Sequence, residues 1–177
     1  MKPSKSNQTR RYSRPVLAVL FLSALFMIPF GSYTKAQKTN YSGEWILNES
    51  ESDMGEGMFR MTKAMKVTQE GNNFELQRTR TGRNGEERTS TENLTLDGEV
   101  TVNEQGNRKT ESSVTWSEDG KSITITTNSS FSREGQTFEM KNTEVWTLDK
   151  KGKILTVDYT GSSPRGERKA KLVYDKK

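Results

Sequence analysis

The chain has 177 residues, with 28 Lys and Arg against 23 Asp and Glu, and it has neither cysteine nor histidine. That composition excludes disulfides, thiolate and imidazole metal sites, cysteine nucleophiles and Ser-His-Asp chemistry; only carboxylates, Lys, Arg, Tyr, Ser and Thr remain as possible catalysts, and no metal, cofactor or catalytic residue is predicted. Residues 1–36 hold six of the basic residues and no acidic one, which leaves the remainder near neutrality at about −1, with no electrostatic case for nucleic acid as a partner.

The chain opens as an export signal. Lys2, Lys5, Arg10, Arg11 and Arg14 precede an apolar run over 16–28 that Pro29, Phe30 and Gly31 close. Thr34-Lys35-Ala36 then supplies small residues for cleavage after Ala36. The run falls short of the roughly 20 apolar residues that span a bilayer. Membrane attachment is therefore expected only through an uncleaved signal, and the protein is expected in the periplasm or outside the cell. The domain left after cleavage is 37–177.

From there the pattern alternates apolar with polar residues, and short clusters of Gly, Asn and Asp interrupt it, as in successive β-hairpins. Ten strands are predicted, near 43–48, 60–69, 73–81, 86–96, 98–103, 107–117, 121–132, 136–148, 153–161 and 167–175. Asp97-Gly98 fits a two-residue hairpin turn. Turns are also expected at 118–120, 133–135, 150–152 and 163–166, and no segment has a helical period. The fold class is all-β, an antiparallel up-and-down meander closed into a barrel of eight to ten strands.

In a meander, successive turns lie at alternate ends. Following the inward parity puts an apolar pair near one end of nine strands in succession, Met65/Val67, Phe74/Leu76, Leu94/Leu96, Val100/Val102, Val114/Trp116, Ile123/Ile125, Trp146/Leu148, Leu155/Val157 and Leu172/Tyr174. Carried to the other end, the same parity meets Arg78, Arg80, Arg88, Arg108, Asn142, Glu144, Tyr159 and Arg168. Such a barrel is plugged at an apolar bottom and polar at an open top.

Tyr41-Ser42-Gly43-Glu44-Trp45 opens the first strand. This Gly-x-Trp at the head of a β meander resembles the lipocalin family and its calycin relatives. In organisation and in its Gly-x-Trp-x-Leu-Asn start, the chain resembles exported bacterial lipocalin-like proteins. The resemblance implies a barrel in which Trp45 closes the bottom beside Trp116 and Trp146. The pattern departs from the family where lipocalins carry a helix after the barrel. Fatty-acid-binding relatives place two helices between the first strands, and residues 49–59 are short and Gly-rich for that. The family's last-strand arginine over the tryptophan has no match, because Arg168 falls at the other end.

An inward guanidinium needs a partner. The arginine group, with Met58 and Phe59 in the first top connection, is expected to hold a small amphipathic or anionic ligand at the open end, its apolar tail reaching down. Two other functions remain open. In one, Glu92 and Glu144 neutralise the arginines inside a filled barrel that serves as a structural or protein-interaction module of the envelope. In the other, the same two carboxylates act in a hydrolase.

Overall fold

The computed structural model of the protein describes residues 38–55, 62–82 and 84–177. These fall in one compact unit, 35–177. The predicted signal peptide, Met58 and Phe59 lie outside the described residues.

Ten antiparallel strands form a single sheet, and no helix occurs among the described residues. They are β1 (Gly43–Leu47), β2 (Thr62–Glu70), β3 (Asn73–Thr81), β4 (Glu87–Thr95), β5 (Thr101–Gln105), β6 (Arg108–Trp116), β7 (Ser122–Arg133), β8 (Gln136–Leu148), β9 (Ile154–Ser163) and β10 (Gly166–Lys176). The spatial order is β4-β3-β2-β1-β10-β9-β8-β7-β6-β5. The first and last strands pair, with Trp45 opposite Lys176, so the meander curls into a nearly closed barrel. Closure is incomplete at one seam, between β4 and β5.

That seam corrects a sequence expectation. Asp97-Gly98 carries the chemistry of a hairpin turn, with Gly98 at φ 87°, yet the strands it joins are the two open edges of the sheet. The two-residue turn with positive φ at both positions is instead Glu134-Gly135, at 52° and 76°, between the paired Arg133 and Gln136. Asp97 Oδ1 accepts from both the Glu99 amide and the Thr95 hydroxyl. The loop is thus locally complete without a ladder beside it.

The inward parity holds on every predicted strand but β5. Met65, Val67, Phe74, Leu76, Leu94, Leu96, Val114, Ile123, Ile125, Trp146, Leu155, Val157, Leu172 and Tyr174 are buried together, and Trp116 and Leu148 pack against them half-buried. On β5, Thr101 lies opposite the buried Ser112 and Val102 opposite Glu111. The inward residues there are Thr101, Asn103 and Gln105, and Val100 and Val102 stand in solvent, 60% and 51% exposed. A one-residue slip exchanges the two faces of a strand. The long loop after β4 introduces that slip.

The bottom is solid. Trp45, Trp146 and Tyr41 are fully buried, with the Tyr41 and Phe74 rings edge-on to Trp146 at 6.0 Å. The Trp45 indole donates to the Tyr41 carbonyl at 3.0 Å. The Tyr41 hydroxyl lies 3.0 Å from the carbonyl oxygens of Lys121 and of Trp146. Residues 38–42 therefore cork the barrel from below, and Thr39 donates its amide to Gly120 across the same end.

Burial raises the pKa of both Tyr41 and Tyr174 well above the ordinary phenol value. The folded state keeps both phenols protonated at a pH where the unfolded chain has lost the protons. Stability is then fully present below about pH 10 and falls as pH rises above it. In an alkaline urea series, Tyr41→Phe and Tyr174→Phe should each flatten that fall, and an unchanged slope in both would refute it.

Candidate functional site

The upper interior is built from the residues that follow the apolar pairs on each strand. Arg78 follows Phe74 and Leu76 on β3 with the same parity, so it points inward. It sits opposite Met65 on one side and Ser90 on the other and is 6% exposed. One of its terminal nitrogens donates to Glu144 Oε2 at 2.9 Å. The Trp146 indole donates to the same oxygen at 2.9 Å. Arg78 Nε lies 3.4 Å from Glu92 Oε1 in an ion contact without hydrogen-bond geometry. Its guanidinium also faces the Trp146 ring at 5.8 Å.

Burial alone would lower the pKa of Arg78, but Glu144 and Glu92 outweigh it and hold the charge in place. The Glu92–Arg78–Glu144 triad is thus an internal post joining β4, β3 and β8. Both carboxylates are engaged with Arg78, so they do not form a free acid–base pair of the kind the hydrolase reading requires.

Arg80, one inward step higher, is half-buried and differs from Arg78. Its one polar contact among the described residues is a long hydrogen bond to the Ser90 hydroxyl, 3.4 Å. No carboxylate forms an ion pair with it there. Burial, then the neighbouring Arg78, lowers its pKa, while Glu92 and Glu144 oppose them at longer range. The group stays charged, as arginine does in proteins, in surroundings that favour an added anion.

Two adjoining cavities occupy this region. The first, about 490 Å³, is bordered by Arg78, Arg80, Arg108, Glu92, Glu144 and a wall of hydroxyls. That wall is Thr110, Ser112, Thr127 and Ser129 on β6 and β7, linked in pairs across the strands at 3.3–3.4 Å. The second, about 540 Å³, shares Arg78, Arg80, Asn142 and Glu144 with the first. The rest of its lining includes an apolar patch of Met65, Met140, Val157 and Leu172, along with Tyr159, Arg165 and Arg168. The combined space therefore presents a hydroxyl wall in the first cavity and a hydrocarbon patch in the second, with Arg78 and Arg80 shared between them and Arg165 and Arg168 also bordering the second. Three arginines against two glutamates leave the first cavity one positive charge in excess.

The remaining predicted residues divide. Asn142 lines both cavities and accepts a hydrogen bond from Tyr159 at 2.8 Å. Gly161, on the same face as Tyr159, leaves the room that this ring occupies, since a β-carbon there would meet the Tyr159 hydroxyl. Arg108 is exposed but borders the first cavity, and Arg168 is exposed and borders the second. Arg88 is opposite Arg80 in register but stands at the rim, paired with Glu86 at 2.7 Å, outside both cavities. The expected downward tail has no room beyond Met65 and Leu172, because the aromatic bottom is filled.

One site feature escaped the sequence reading. Lys176 Nζ lies 5.1 Å from the centre of the Trp45 ring, placing a last-strand cation over the tryptophan, where only arginine was sought. The mouth also carries a stacked pair, Phe131 and Phe138, 4.9 Å apart. Among the described residues no cluster of three carboxylates that could hold a metal occurs.

Fold and site together define an all-β, ten-stranded, nearly closed up-and-down barrel with a polar, arginine-bearing upper interior. In solved structures the chain is similar to the zebrafish ileal bile acid-binding protein in complex with cholic acid, at 18% identity and a TM-score of 0.50, with 77% of this chain and 98% of that chain covered. No protein-family model and no curated protein matches the chain.

Proposed function

We propose that this is an exported, lipocalin-like barrel of the kind found in bacteria, and that it binds a small amphipathic anion in its upper interior. The anionic group pairs with Arg80 and Arg108. The ligand's apolar face lies on Met65, Val157 and Leu172, and its polar face on the hydroxyl wall of β6 and β7. The observation that carries this reading is the contrast between two neighbouring arginines. Arg78 is neutralised by two glutamates, whereas Arg80, half-buried beside it, has no carboxylate partner among the described residues. A half-buried cation without a counter-charge is disfavoured relative to one in water, and a carboxylate ligand offsets that through charge-assisted hydrogen bonds. The zebrafish protein in the related barrel is described with cholic acid, a carboxylic acid, which supports the ligand class without fixing its identity.

Native mass spectrometry of protein purified from its own host would look for a retained small molecule. Calorimetry with cholate, dodecanoate and glucuronate then separates amphipathic, long-tailed and fully hydrophilic anions. Cholate should bind best, because the filled bottom leaves a long tail no channel. Replacing both Arg80 and Arg108 with methionine should weaken its binding by at least about 10- to 100-fold, the scale of losing a single charged hydrogen-bonded contact. Unchanged affinity in that variant for every anion the parent binds would remove the reading.

The alternative of a filled-barrel structural or interaction module draws on Arg78 alone, whose two carboxylate partners are internal. It leaves Arg80 unaccounted for.

A further inference from the structure

β4 and β5 follow one another in the chain yet form the two edges of the sheet. Each uses one side to pair with its neighbour and keeps a second row of backbone N–H and C=O groups to which no strand is hydrogen-bonded among the described residues, although β4 approaches β6 and β5 to within 8 Å at places. The first cavity reaches these edges. It is bordered by five consecutive residues of β4, 90–94, and by Thr101, Val102 and Asn103 of β5. Only alternate side chains of a strand face one way. Consecutive residues along the wall show that the cavity borders the backbone of both edge strands as well as their inward side chains.

Of the devices that usually blunt an exposed edge, the short length of β5 and the charges Glu87, Arg88, Glu92 and Glu104 are present, but lysine and proline are not. Instead β5 presents two distinct rows. Val102, with Val100 just before the strand, stands outward and exposed. Thr101, Asn103 and Gln105 stand inward, and Gln105 lies opposite Arg108. Glu104 shares the outward row with Val102, so added acidic side chains are disfavoured on that face and favoured on the inner one, where the cavity carries its excess positive charge.

From this we infer that the seam accepts an extended segment of a partner protein, in which apolar and acidic residues alternate, by β-strand addition to β5. An added strand brings its side chains into the same two rows as its neighbour. Its apolar residues then cover Val100 and Val102, and its carboxylates enter the cavity toward Arg108 and Arg80. This goes beyond the small-ligand reading and does not depend on it, since backbone pairing at an edge needs no cavity ligand.

A fluorescein-labelled octapeptide alternating Val and Glu tests this with the purified protein. Its block isomer of four Val and four Glu, and a version N-methylated at every second residue, are the controls. Anisotropy should show binding of the alternating peptide and at least a tenfold loss for each control. Arg108→Gln should weaken the alternating peptide by about tenfold. Hydrogen exchange should slow at least tenfold at alternate amides of β5 when the peptide is bound. Equal binding of the block isomer, or binding that leaves β5 exchange unchanged, overturns the inference. So does sedimentation of the free protein as a dimer with β5 already protected, which assigns the seam to a second copy. Cholate affinity is read separately, so failure here leaves the small-ligand proposal standing, and the reverse also holds.

Discussion

Replacing Arg78 with methionine should destabilise the protein by about 3–5 kcal/mol, the scale of breaking a buried ion pair from one side. The guanidinium holds Glu144 at 2.9 Å and Glu92 at 3.4 Å, and methionine would leave both carboxylates in the barrel without a counter-charge. Arg78 also ties the β3–β4 hairpin to β8 through Glu92 and Glu144, so its loss affects more than one local contact. Urea denaturation followed by tryptophan fluorescence measures the effect. Adding Glu144→Gln to the variant removes one stranded charge and should recover about half of the loss, because an amide in that place still accepts the Trp146 indole hydrogen bond. A single-variant loss below about 1 kcal/mol would mean that water, rather than Arg78, already neutralises the two glutamates.

The second large effect is expected at the other end. Trp45→Ala should cost about 3–5 kcal/mol, the range for removing a buried aromatic side chain. Trp45 is fully buried, donates to Tyr41 and carries Lys176 above its ring. Its removal opens a void and also frees the segment that corks the barrel. Trp45→Phe keeps part of the packing but loses the indole donor, so it should cost clearly less. Equal losses in the two variants would show that the hydrogen bond to Tyr41, rather than ring volume, holds the bottom closed.

Much of this architecture is legible in the sequence because one side of nearly every strand is buried. Alternation on β3, β7 and β9 fixes which residues face inward; extending the parity of β3 finds Arg78 and Arg80, and stepping back from Trp146 on β8 finds Asn142. The seam was not legible. Asp97-Gly98 satisfies every local requirement of a hairpin, and whether the flanking strands pair depends on how far the sheet curls, which no local signal records. The same loop shifts β5 by one residue and turns Val100 and Val102 outward.

Pairing within the site was only partly legible. Glu92, Glu144 and the arginines share a face by parity. That Arg78 takes both carboxylates while Arg80 takes neither depends on height within the barrel and on the Trp146 indole, which adds a second donor to Glu144. The cation over Trp45 could have been found by extending the parity of Leu172 and Tyr174 one step to Lys176, had lysine been allowed in place of arginine.

The cork formed by residues 38–42 settles how the molecule could be handled. Thr39 and Tyr41 are fastened to Gly120, Lys121 and Trp146 at the pole away from the arginines. A biotin or surface linker attached just ahead of Lys38 would anchor the molecule by its sealed base, leaving the rim facing free solution. Sensor measurements on protein immobilised that way would sample the mouth unobstructed.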